Sequence, residues 1–266
     1  MPITETLVKN ASLYGGEICL IEINPEFEPV QEVQEYALVE TAHKNKYRKE
    51  LTWREFDDKA NQLANLLIER GVKRDDKVGI LLMNCIEWLP VYFGILKTGA
   101  LAVPLNFRYT ADEIKYCIGL ADISVLLFGS EFIERMNTIK NDIPNVKSLF
   151  FVDGNGGECP GFSEDYKKLT NECSKTAPDI KLCDEDNAAI YFSSGTTGFP
   201  KAILHPHLSL VTSCKVEQNH HSQTRDDIFL CIPPLYHTGA KMHWFGSLLA
   251  GSKGVLLRGI KPKMDY

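Results

Sequence analysis

At 266 residues, with 44% hydrophobic and 24% charged side chains, the chain has the composition of a soluble globular protein able to bury one large core or two modest ones. Its 29 Lys and Arg against 35 Asp and Glu leave a formal net charge of −6, which argues against the clustered basic surface that nucleic acid requires. None of the 8 cysteines falls in a C-x-x-C pair, so zinc-ribbon and thioredoxin frameworks are excluded. No stretch approaches the ~18 consecutive apolar residues of a membrane span, and no basic region followed by an apolar run opens the chain; a cytoplasmic location is expected.

In chain order, Lys44-Asn45-Lys46-Tyr47-Arg48-Lys49 is expected to be a solvated loop. Thr52-Trp53-Arg54-Glu55 is a capping box, with Thr at the N-cap and Glu three residues on. Phe56, Ala60, Leu63 and Leu67 then recur at helical spacing, and Gly71 is placed to end the helix. Residues 78–82 read as a short buried strand, 87–97 as a helix stopping at Gly99, and 100–103 as the next strand, a strand–helix–strand unit of the kind that builds parallel sheets. A second capping box, Thr110-Ala111-Asp112-Glu113, opens a helix carrying Ile114, Cys117 and Ile118; strands follow at 123–128 and 148–152. Glycines and prolines from Gly154 to Gly161, and again Pro178 with Asp184-Glu185-Asp186-Asn187, mark loops, so a boundary is expected between residues 1–178 and 179–266. Beyond it come a strand ending at Phe192, a helix from about Ser209, a strand at 228–232, an apolar helix after Gly239 and a strand at 254–257. Strands alternating with helices predict an α/β fold.

The strand ending at Phe192 runs into Ser193-Ser194-Gly195-Thr196-Thr197-Gly198-Phe199-Pro200-Lys201. Glycines there let successive N–H groups turn toward an anion, the hydroxyls add donors, and Lys201 adds a charge able to follow polyphosphate oxygens. Pro200 delays helix formation. The spacing is not that of a Walker loop, because Phe199-Pro200 separates Gly198 from Lys201, nor of a dinucleotide fingerprint.

This run resembles the phosphate-binding signature of the adenylate-forming superfamily, which includes acyl-CoA synthetases, luciferases and the adenylation domains of peptide synthetases. Leu51-Thr52-Trp53-Arg54-Glu55-Phe56, Leu96-Lys97-Thr98-Gly99-Ala100 through Asn106, and Pro233-Pro234-Leu235-Tyr236-His237-Thr238-Gly239-Ala240 are similar to further landmarks of that family, in its order. The resemblance implies two stacked Rossmann-like subdomains with mostly parallel sheets, the second incomplete here and the C-terminal domain absent. It implies that Ser193, Ser194, Gly195, Thr196, Thr197, Gly198 and Lys201 hold the ATP phosphates. It implies that Lys201 neutralises departing pyrophosphate, that His237 borders the substrate carboxylate, and that Thr238, Gly239 and Ala240 admit the acyl group, with Trp244 or Phe245 as pocket wall. Lys241, four residues after His237, is read as solvated, with a second substrate carboxylate as the alternative partner. No aspartate stands in this segment to pair an amino group, which disfavours amino acid substrates. The paired histidines His205 with His207 and His220 with His221 lack acidic or cysteine partners at metal spacing, and His207 reads as structural.

The implied activity is ATP-dependent carboxylate–CoA ligation through an acyl-adenylate, with a carboxylic acid, ATP and coenzyme A as substrates. The Mg²⁺ ligand is expected beyond residue 266, as are the ribose-binding aspartate, the hinge and the C-terminal lysine, so this chain alone is expected not to turn over. A non-catalytic nucleotide-binding half-domain, or the adenylation domain of another member, stays open at this point, as does oligomerisation.

Overall fold

The chain folds around a mostly parallel sheet covered by helices on both faces. The computed structural model describes residues 1–27, 47–153, 157–193 and 200–258, with the backbone alone for 32–34, 37–39 and 240–243. In chain order the elements are α1 (Ile3–Tyr14), β1 (Ile18–Ile23), β2 (Glu32–Gln34), β3 (Ala37–Val39), β4 (Arg48–Thr52), α2 (Trp53–Glu69), β5 (Lys77–Leu81), α3 (Trp88–Lys97) and β6 (Leu101–Pro104). There follow α4 (Ala111–Leu120), β7 (Ile123–Gly129), α5 (Ile133–Ile139), β8 (Ser148–Val152), β9 (Glu164–Asp165) and α6 (Tyr166–Glu172). The last group is β10 (Asn187–Ser193), β11 (Lys201–Pro206), α7 (His207–His220), β12 (Ile228–Cys231), α8 (Thr238–Ala250) and β13 (Lys253–Leu257).

Seven strands form the larger sheet in the order β11-β10-β6-β5-β7-β8-β9, parallel throughout except for the β10–β11 hairpin. Val125-Leu126-Leu127-Phe128 of β7 is apolar without alternation because both faces of the sheet are covered. Val125 and Leu127 join the cluster holding Phe56, Leu63, Tyr92 and Phe93 of α2 and α3. Leu126 and Phe128 join the one holding Ile114, Cys117 and Met136 of α4 and α5. Both capping boxes are formed: Thr52 and Glu55 exchange bonds of 2.8 and 3.2 Å, and Thr110 and Glu113 bonds of 2.8 and 3.3 Å. Gly71 and Gly99 follow α2 and α3 at φ +80° and +78°, where a side chain would be strained.

A four-stranded sheet, β12-β13-β1-β4, pairs β1 antiparallel with β4 and parallel with β13. Pairing in the molecule therefore crosses the expected boundary at 178/179: β10 lies beside β6, and β1 beside β13. Two local expectations are corrected. Arg48 and Lys49 lie in β4 and pair with Glu50 (2.5 Å) and Glu22 (3.5 Å), not in a solvated loop; residues 44–46 are outside the described residues. The helix expected from about Ser209 begins at His207, directly after β11.

Charged groups tie the layers together. Lys97, 6% exposed, sits 2.6 Å from Asp57 Oδ1 and 2.5 Å from Asn61 Oδ1, joining α3 to α2. Glu22 of β1 accepts the Ile86 N–H at 2.6 Å and lies 3.7 Å from Arg258, which also donates to Glu131 at 2.9 Å.

Candidate active site

Three strand exits open into one cleft of about 590 Å³. Pro104, Asn106 and Tyr109 come from the end of β6, and Tyr191 to Ser193 from the end of β10. These are neighbours because the two strands run parallel, registered at Ala189–Ala102. Tyr236, His237 and Thr238 arrive from the turn after β12. Phe107 and Tyr236 meet edge to face at 5.2 Å and 90°, joining the first and third exits. This is where α/β sheets place their ligands.

The second exit is a hairpin. Ser193 and Lys201 are Cα partners across the β10–β11 ladder, so Lys201 begins the return strand, exposed. Ser194, Gly195, Thr196, Thr197 and Gly198 lie outside the described residues. Tyr191, which lines the cleft, is held from behind by the Tyr92 hydroxyl at 2.6 Å, deep in the core. The return strand also brings His205 to the cleft wall, its ring edge to face with Tyr191 at 5.3 Å. Burial holds His205 below its ordinary pKa, so it stands neutral near pH 7. Sequence reasoning set His205 aside on metal spacing; its signal was its place on a strand that the pattern of β11 did not reveal.

Pro233-Pro234 ends β12, and the His237 N–H returns to the Pro234 carbonyl at 3.0 Å, closing a turn. His237 is the N-cap of α8: its Nδ1 accepts the Gly239 N–H at 3.3 Å. An acceptor Nδ1 leaves Nε2 as the ring's N–H donor. Asn84, in the loop after β5, donates from Nδ2 to the Pro233 carbonyl at 3.0 Å and accepts the Leu235 N–H on Oδ1 at 2.8 Å. Burial raises the Tyr236 hydroxyl pKa, partly offset by Arg108.

The described part of the predicted set is thus brought together in Ser193, His237 and Thr238, with Lys201 at the hairpin's return. Gly239 serves the cap of His237. The side chains of Ala240 and Lys241 lie outside the described residues. Trp244 stands apart: 1% exposed, it packs against Phe56 at 5.9 Å and Phe93 at 6.2 Å, and Phe245 beside it is equally buried. Both belong to the aromatic core where α8 meets α2 and α3, not to the wall of this cleft. Among the described residues no three His, Cys, Asp or Glu side chains gather as a metal site would require. No helix among them is long and apolar enough to cross a membrane.

A mostly parallel sheet with a cleft at its strand ends has the arrangement in which α/β proteins hold ligands. The chain belongs to the AMP-binding enzyme family, whose model matches residues 30–265. It is similar to a medium/long-chain-fatty-acid–CoA/3-oxocholest-4-en-26-oate–CoA ligase of Mycolicibacterium smegmatis, at 35% identity over 59% of this chain and 29% of that protein. It is also similar to the mitochondrial acyl-coenzyme A synthetase ACSM2B of Homo sapiens, at 30% identity over 76% of this chain and 34% of that protein. The chain thus spans about a third of the length of the curated relatives it matches. In fold it resembles the anthranilate CoA ligase AuaEII, crystallised with anthranoyl-AMP, with a TM-score of 0.83 at 23% identity, over 98% of this chain and 45% of that one.

Proposed function

We propose that the chain is the substrate-activating part of an ATP-dependent carboxylate–CoA ligase, with a fatty or related acid as substrate. The observation that carries the reading is the convergence of the β10–β11 hairpin and the His237 turn on one cleft, in a chain of the AMP-binding family. A carboxylate oxygen attacks the α-phosphorus of ATP, the bond to the bridging oxygen breaks, and pyrophosphate leaves. The acyl-adenylate then loses AMP to the thiolate of coenzyme A, giving the thioester.

In this chemistry Ser193 to Gly198 and Lys201 hold the phosphates, and Lys201 offsets the charge of the leaving pyrophosphate. His237, with Nδ1 engaged by its own helix, offers an Nε2–H to an oxygen of the carboxylate or of the adenylate. Tyr109 and Tyr236, which line the cleft, supply apolar surface for the acid. The Mycolicibacterium smegmatis relative is by name a medium/long-chain-fatty-acid–CoA ligase, which favours a hydrophobic acid here. Magnesium would shield the phosphates in such a reaction.

The test is binding of decanoyl-sulfamoyl-adenosine, a stable acyl-adenylate mimic, measured by calorimetry. Saturable one-to-one binding is expected. Lys201→Ala should weaken ATP binding by about 1.5–3 kcal/mol through loss of a charge-assisted contact. Absence of binding to the wild-type chain refutes the function, and unchanged ATP affinity in the variant removes Lys201 from the site.

A further inference from the structure

We propose that Asn84 is a positioning residue that sets where His237 stands, acting from the opposite sheet through the Pro233–Leu235 backbone. This rests on the reading that His237 borders the substrate carboxylate. Asn84 is 6% exposed, and both ends of its amide are used on one short segment: Nδ2 on the Pro233 carbonyl at 3.0 Å, Oδ1 on the Leu235 N–H at 2.8 Å. The assignment of oxygen and nitrogen is unambiguous, because a backbone N–H can meet only the oxygen and a carbonyl only the amide nitrogen. The segment so held leads directly into the turn that His237 closes onto Pro234, and Leu235 beneath it is fully buried.

The clamp is itself anchored. Two residues along the same loop, the Ile86 N–H is held at 2.6 Å by Glu22, which is 1% exposed and lies 3.7 Å from Arg258 and 3.5 Å from Lys49. Asn84 therefore extends from a loop fixed to the four-stranded sheet, while its own strand, β5, lies in the seven-stranded one. Only a side chain with one donor and one acceptor a carboxamide apart can satisfy both backbone groups. Aspartate of the same shape keeps the bond to Leu235 but turns an oxygen on the Pro233 carbonyl.

The experiment uses the full chain, Asn84→Asp and Asn84→Ala, with two readouts. The first is the ¹⁵N signal of His237 with labelled histidine, which reports whether Nδ1 stays a fixed acceptor. The second is calorimetry with ATP and with decanoyl-sulfamoyl-adenosine. In both variants the His237 signal should lose its single-tautomer character. Affinity for the acyl-adenylate mimic should fall about tenfold or more, and that for ATP less than about twofold, since small misplacement is felt where orientation matters. An unchanged His237 signal, equal weakening of both ligands, or loss of the fold in both variants overturns the proposal. Should the wild-type chain bind neither ligand, the functional reading fails, while the His237 signal still decides the clamp.

Discussion

Lowering the pH should strain the molecule at one identifiable place. His207 opens α7, is 0% exposed, and has no hydrogen-bond partner at either ring nitrogen among the described residues. Burial pushes its pKa down to about 4, with Asp186 and Asp184 offsetting only part of that cost. A base whose folded pKa lies below its unfolded value contributes its full stability above the unfolded value and loses it as the pH falls. The unfolded chain takes up the proton from about pH 6.5 downward, the folded chain only near pH 4, so the loss occupies that window. At about 1.36 kcal/mol per unit the window is worth about 3 kcal/mol, of which about 2 kcal/mol is gone by about pH 5. Asp186 is held below the ordinary carboxylate range by the Cys183 N–H and then Arg74, so its own contribution is lost at lower pH. Urea denaturation between pH 7.5 and 5, on the wild type, His207→Phe and the milder His207→Gln, measures the difference. Both variants should flatten the acid limb by about 2 kcal/mol. Stability curves that stay parallel to the wild type would refute the reasoning.

Two further expectations concern the layers around the cleft. Lys97→Met removes the cation from a buried pair and leaves the Asp57 carboxylate without it, which should cost about 3–5 kcal/mol in urea denaturation; a loss below about 1 kcal/mol would show that water reaches Asp57 freely. Trp244→Ala should lower stability by about 3–5 kcal/mol through the cavity it leaves, while the affinity for decanoyl-sulfamoyl-adenosine, measured well below the melting temperature, changes little. A large affinity change at constant stability would put Trp244 on the pocket wall after all.

The parts of this fold that were legible in the sequence are those governed by neighbours along the chain. The capping boxes at Thr52 and Thr110 are three-residue events, and the strand–helix–strand run from Val78 to Val103 carries its periods on its face. Membership of the family was legible because Ser193 to Lys201 is specific in order as well as composition. The return strand β11 was not. Most of its side chains are exposed on a sheet edge, so no alternation marks it, and His205 went unplaced with it. Asn84 could not be found either: an asparagine between a strand and a helix reads as an ordinary turn residue. Its partners lie 149 and 151 positions away. Where Trp244 packs was not legible for a related reason: helical spacing after His237 does not say which face of α8 meets Phe56 and Phe93.

The four-stranded sheet carries a consequence for how the chain is made. β4 follows β1 closely and can cover one of its edges at once, but the other edge is reserved for β13, with Leu20 to Ile23 registered against Gly254 to Leu257. During synthesis at about 5–20 residues per second that edge stays open for on the order of 10–40 s after β4 is complete. The central strands β5, β6, β7 and β8 meanwhile have all their mutual partners by Val152 and can close early. For that interval the nascent chain presents one open edge of an apolar strand, Ile18 to Ile23, interrupted by the single charge of Glu22. A carboxylate that later anchors the loop of Asn84 would thus serve first to discourage that edge from joining a strand of another molecule.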